Sequence, residues 1–227
     1  MVQERIGSMN YKFKNFPVTC VLIGINVAIY LLMTFAGGSQ NPGVLVRFGA
    51  NFAPYVSNGE YWRLLTAMFL HIGLEHLALN MLTLYFIGAS LEPILGSVRF
   101  AVLYLVSGIC GDAASYSLTN GLSAGASTAL FGLFGAYLML GESFRNNAYI
   151  KMMARQFLLL VVLNIFFDFF SSGIDIWGHI GGLLSGFLFG YVIGAPKLGE
   201  IPVGKRVICA IAILIFLLVM FKSGFVY

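Results

Sequence analysis

A few polar groups set in an apolar chain have the types and spacing to do chemistry together. The first is Ser127, within Gly125-Ala126-Ser127-Thr128-Ala129-Leu130-Phe131-Gly132-Leu133-Phe134-Gly135. The second is His179, within Trp177-Gly178-His179-Ile180-Gly181-Gly182, the only histidine in the second half of the chain. A serine hydroxyl is a weak nucleophile until a neighbouring base takes its proton, and His179 is the candidate base. The third group is the pair His76 and Asn80, four residues apart and so on one face of a helix. Both donate hydrogen bonds. Aimed at a developing negative oxygen, they would form an oxyanion hole with the Ser127 backbone N–H at a helix N-terminus.

Plainer readings compete with this chemistry. Serine, glycine and alanine in apolar helices commonly serve only to let backbones approach. That accounts for Gly132, Gly135, Gly182, Gly186 and Gly190, but not for a seam that starts at a serine on one side and a histidine on the other. A metal at His76 and Asn80 is disfavoured: Asn is a poor zinc ligand, and no second carboxylate or thiolate stands at suitable spacing. No metal and no cofactor is expected. His71, just before its apolar segment, is read as structural. Asp175, four residues before His179, suits a helix N-cap better than a third catalytic member. Asp168, between Phe166-Phe167 and Phe169-Phe170, has no obvious partner in the sequence, and Asp112 none either. Ser123, Ser171 and Ser172 read as loop or cap residues. The strand-borne G-x-S-x-G elbow is excluded, because residue 129 is Ala and the context is helical.

The elements that position these groups follow from composition. Of 227 residues, 59% are hydrophobic and 10% charged, against about a quarter charged in soluble domains. Mean hydropathy is +0.89. The fold class expected is all-α, a polytopic membrane helical bundle. Seven apolar segments approach the length of about 20 residues that crosses a bilayer: Val18 to Ala36, Leu74 to Leu91, Val98 to Ser117, Ser127 to just before Glu142, Gln156 to Phe170, Trp177 to Ile193 and Val207 to Phe221. Residues 37–70 are too long and too apolar for a hydrated loop and are expected to form a structured segment at the interface. Cys20, Cys110 and Cys209 lie in apolar segments and imply no disulfide framework. The first fifteen residues lack an apolar core with a cleavage site, so no removable signal peptide is expected.

Charge orients the bundle. With the N-terminus in the cytoplasm and sides alternating, Arg5, Lys12, Lys14, Arg99, Arg145, Lys151, Arg155, Lys197, Lys205 and Arg206 fall inside; only Arg47, Arg63 and Lys222 fall outside. This satisfies the positive-inside rule. The basic balance therefore reads as orientation in a bilayer, and no nucleic-acid partner is expected. The second, fourth and sixth spans then start on the outer side. His71, His76, Ser127 and His179 share that depth.

These residues together resemble the rhomboid family of intramembrane serine proteases. The matching pieces are Gly125-Ala126-Ser127 with Phe131-Gly132, His179-Ile180-Gly181-Gly182, the His71/His76/Asn80 pattern, and Trp62-Arg63 in the first loop. The resemblance covers roughly residues 15 to 193. It implies a six-helix core at 16–195 with a Ser127–His179 dyad and no required acid, and His76, Asn80 and the Ser127 amide as oxyanion stabilisers. His71, Trp62 and Arg63 would be structural near the site, with Gly125, Gly132 and Gly182. Residues 1–15 would be a cytoplasmic segment, and 196–227 a linker with a seventh, appended helix. One departure stands out. Many active members have Gly after the serine, whereas this chain has Thr128, whose branched side chain is expected to narrow backbone freedom near the oxyanion hole.

The activity implied is endoproteolysis of transmembrane protein substrates near the outer face, in a multi-pass protein of a bacterial cell membrane. The aromatic outer end of the fifth span, with the loop Ser171 to Asp175, is a candidate gate. Two rivals are a catalytically silent rhomboid-like protein that binds membrane clients, and a transporter or channel with histidine proton relays.

Overall fold

A computed structural model describes residues 16–171 and 173–224. Ten α-helices account for nearly all of it: α1 (Pro17–Phe35), α2 (Pro42–Phe48), α3 (Ala53–Ser57), α4 (Arg63–Thr66), α5 (Gly73–Leu95), α6 (Ser97–Leu118), α7 (Ser127–Ser143), α8 (Ala148–Phe170), α9 (Ile176–Ile193) and α10 (Val203–Gly224). Among the described residues the only strand-like pairing is a single bridge between Asn51 and Ser123. The expected cytoplasmic segment 1–15 and residues 225–227 lie outside the described residues.

All seven apolar segments are helices. Six of the helices, α1, α5, α6, α8, α9 and α10, are long and apolar enough to cross a membrane. The seven-span expectation thus meets six helices of spanning length plus α7, which has 17 residues and is buried along most of its length. Helix α8 starts at Ala148, earlier than the expected Gln156. The Asn147 side chain caps it, accepting from the N–H groups of Tyr149 and Ile150, and the cap carries the helix through the polar turn that hydropathy reads as loop.

Residues 37–70 fold into α2, α3, α4 and a 3-10 turn at Ala67–Phe69. Arg63 holds them together. Its guanidinium is buried, donates to the Val46 and Ala50 carbonyls at 2.8 and 3.1 Å, pairs with Glu60 at 2.7 Å, and lies over the rings of Tyr55 and Trp62. At the other end of the bundle the buried carboxylate of Glu92 on α5 accepts from the N–H groups of Val18 and Thr19, from the Thr19 hydroxyl and from Ser97. It satisfies backbone donors that the start of α1 cannot satisfy within itself.

The core is α6, α7 and α9. Lipid tails are as apolar as leucine, so helices in a membrane associate through close van der Waals contact rather than by escaping water. Glycines provide that contact. A Cβ at Gly182 would collide with the Thr128 carbonyl, one at Gly186 with the Gly132 carbonyl, and one at Gly135 with the Leu183 carbonyl. On the α6 side, Gly132 leaves room for Ser107. The start of α9 is fixed by Asp175, whose side chain accepts from the Gly178 N–H at 3.0 Å and from the hydroxyls of Ser123 and Thr119 at 2.7 and 3.1 Å. It is the N-cap its spacing predicts, and it also ties the loop before α7 to α9.

Candidate active site

The starts of α5, α7 and α9 converge on one cleft of about 630 Å³. Ser127, His179, His76 and Asn80 all line it. Its walls also include Leu79 and Thr83 on α5, Leu130, Phe131 and Phe134 on α7, and Leu160, Asn164 and Asp168 on α8, with the chain before α7 and α9 closing its polar end. The cleft therefore runs from the polar end of the bundle down between α5 and α8.

Ser127 is the first residue of α7. Its backbone N–H is one of the donors a helix start leaves without an intrahelical partner. One turn on, the Phe131 ring stacks on the His179 imidazole, with centroids 4.2 Å apart and planes 9° from parallel. The His179 Nδ1 lies 2.6 Å from the Asp168 carboxylate, and both side chains are buried. An ionised carboxylate only accepts, so Nδ1 carries the proton and Nε2 is left with a lone pair. The serine hydroxyl is not hydrogen-bonded to His179 in this structure.

His76 has the opposite tautomer. Its Nδ1 accepts from the Ile72 N–H at 3.4 Å, so in the neutral ring Nε2 bears the hydrogen. That nitrogen lies against Gly125, where an added Cβ would come within 2.8 Å of it and 3.7 Å of the Ser127 hydroxyl. Gly125, with φ of +144° and its N–H on the Ala67 carbonyl, thus keeps the space between His76 and Ser127 open. One N–H of the Asn80 amide is used by the His76 carbonyl at 2.9 Å, and the Asn80 side chain lines the cleft. His71 lies behind His76, ring edge to ring face at 5.1 Å, and is fully buried. Burial and the neighbouring His76 hold its pKa well below the ordinary histidine value, at about 3. It stays neutral near neutral pH and props the His76 ring.

The remaining candidates sort by where their side chains go. Trp62 packs on Gly49, and Arg63 clamps the segment beneath the cleft. Gly132 and Gly182 belong to the helix seam. Thr128 points away from the cleft, into the notch left by Gly111 on α6 and Gly178 on α9, where added Cβ atoms would meet it at 2.8 and 3.0 Å. Its branched side chain is matched by missing ones opposite. Sequence reasoning missed Asp168 as a partner of His179. The eleven-residue separation crosses a turn between two helices, so no helical period joins them. Its one signal was a carboxylate in an otherwise aromatic apolar run. Ser172 lies outside the described residues. No cluster of His, Cys, Asp and Glu fit for a metal ion occurs among the described residues.

Comparison with known proteins gives a consistent family. The rhomboid domain profile matches residues 58–196. The rhomboid protease GluP of Bacillus subtilis is 39% identical over 92% of this chain and 40% of its own length. The rhomboid protein YdcA of the same organism is 33% identical over 80% of this chain and 91% of its own. Rhomboid-like protease 1 of Toxoplasma gondii is 33% identical over 84% and 69% respectively. The chain spans less than half the length of GluP and nearly all of YdcA.

Proposed function

The chain belongs to the rhomboid family, and from that premise we propose that it is an intramembrane serine endopeptidase that cuts transmembrane segments of other membrane proteins. The family and its apolar helices make it an integral multi-pass membrane protein and align it with serine-protease hydrolases. The observation that carries the reading is the convergence of Ser127, His179, His76 and Asn80, from three helix starts, on one cleft.

The proposed reaction is acyl transfer. A substrate helix reaches the cleft between α5 and α8, past the aromatic end of α8. It unwinds there, because a helical carbonyl is hydrogen-bonded and shielded. Ser127 Oγ attacks the exposed carbonyl carbon while His179 Nε2 takes the hydroxyl proton. The oxyanion accepts hydrogen bonds from His76 Nε2–H, the Asn80 amide and the Ser127 N–H. The C–N bond breaks as His179 returns its proton to the leaving amine. Water then attacks the acyl-enzyme with His179 again as base, releasing the acid and restoring Ser127.

In this reading the core is residues 16–195, 196–227 carries an appended helix, the N-terminus is cytoplasmic, and cleavage occurs toward the outer face of a bacterial cell membrane. The charge bias of the loops supports that orientation. In proteoliposomes with a model transmembrane substrate, Ser127→Ala and His179→Ala should each abolish cleavage, and a fluorophosphonate should label wild-type protein at Ser127. Cleavage that survives Ser127→Ala overturns the dyad. Failure of the wild type to label favours the silent client-binding protein instead.

A further inference from the structure

We propose that Asp168 is the positioning residue of this site, the third member of a Ser127–His179–Asp168 relay; the inference rests on the serine-protease reading above. The chain has two carboxylates close enough to His179 in sequence to play this part. Asp175, on the same helix, is already engaged: its two oxygens accept from Gly178, Ser123 and Thr119. Asp168, on the neighbouring helix, offers its carboxylate among the described residues to His179 alone, at 2.6 Å. That distance is short, as expected of a charge-assisted hydrogen bond.

The surroundings sharpen the assignment. Asp168 sits in the last turn of α8, where Phe166, Phe167, Phe169 and Phe170 are all exposed, yet its own side chain is turned inward and buried. A buried carboxylate is costly unless paired, and among the described residues the only side chain it pairs with is the imidazole. The pairing does two things for the reaction. It places the histidine proton on Nδ1, which leaves Nε2 as the base. It also opposes the positive charge that His179 acquires when it takes the serine proton. A tether between helices would need neither property, and α8 already rests on α7 through Phe157, whose ring stacks on Tyr137 at 4.6 Å.

The other groups facing His179 are few. Helix α5 presents His76 and α7 presents Phe131 and Ser127. Helix α9 itself carries Asp175 one turn away, and α6 carries the buried Asp112. None of these changes on substitution of Asp168, so a change in the titration of His179 reports on Asp168.

The test is the pH dependence of kcat and KM for wild type, Asp168→Asn and Asp168→Glu in proteoliposomes, with Ser127→Ala as control. Asn retains the size but not the charge. It should lower kcat by roughly 100-fold with KM within about twofold, and move the acid limb of kcat down by about one pH unit, since the imidazolium loses its counter-charge. Glu retains the charge, so its acid limb should stay at the wild-type pH with an intermediate kcat. An Asn variant with wild-type kcat and an unmoved acid limb overturns the proposal. So does a kcat loss that follows only a fall in Tm. Should Asn fail to fold, the Glu limb decides: a limb displaced to lower pH contradicts the assignment. Undiminished cleavage by Ser127→Ala, or none by wild type, sinks the protease reading separately. In that event NMR of histidine-labelled protein decides for Asp168: a His179 titration unmoved between wild type and Asp168→Asn, or displaced to lower pH in Asp168→Glu, overturns it.

Discussion

The α7–α9 seam and the α5–α8 cleft are built from the same apolar vocabulary to opposite ends. Along the seam, Gly135, Gly182 and Gly186 bring backbones into direct contact, so that an added methyl group strikes a carbonyl of the opposing helix. Across the cleft, Leu79 and Thr83 on one side and Leu160 and Asn164 on the other face an open space that is part of the cleft of about 630 Å³. Ser127 and His179 are fixed by the seam, yet both line the cleft. In a bilayer no hydrophobic driving force would close the open side, because lipid covers leucine as well as another helix does. Rigid placement of reacting groups and lateral access can therefore coexist in one small bundle. The difference between the two regions is only where glycines face each other and where side chains do.

This contrast can be broken at either region. The largest effect is expected at the seam. Gly186→Val should cost on the order of 3 kcal/mol or prevent folding, because the Gly132 backbone cannot yield as a side chain would; thermal unfolding in detergent measures it, and a Tm within a degree or two of wild type would contradict the seam. Thr128→Ala should cost about 1 kcal/mol for the buried methyl lost from the notch at Gly111 and Gly178. Its cleavage rate in liposomes should stay within about twofold, because the side chain points away from the cleft; a tenfold change in rate would return Thr128 to the catalytic machinery. The smallest stability effect is expected on the open side. Leu160 is 43% exposed, so Leu160→Ala should shift stability by no more than about 0.5 kcal/mol. Cleavage of a membrane-embedded substrate should rise modestly, with that of a water-soluble peptide unchanged. A fall in the former would argue that α8 is not the access wall.

Much of this molecule is legible without coordinates. The seven helical segments follow from apolar length, and the cap at Asp175 from residue type. The face shared by His76 and Asn80 follows from helical period. Boundaries in polar turns were less legible: the start of α8 depends on a cap that hydropathy scores as loop. At the site, Ser127, His179, His76 and Asn80 stand out because isolated polar groups in apolar segments are costly and so are informative. Asp168 stands out for the same reason, but its partner does not. Which neighbour a buried carboxylate meets is set by how α8 lies against α7 and α9.

The sequence by itself determined the helices, their caps and the small set of groups able to do chemistry, because each depends on local chain physics: burial length, period and orphaned backbone donors. Only the tertiary structure decided three things. It paired His179 with Asp168 rather than Asp175, propped His76 on His71, and turned Thr128 into a notch between two glycines. Each is a contact between separate elements, set by how the bundle packs, which no spacing along one helix encodes.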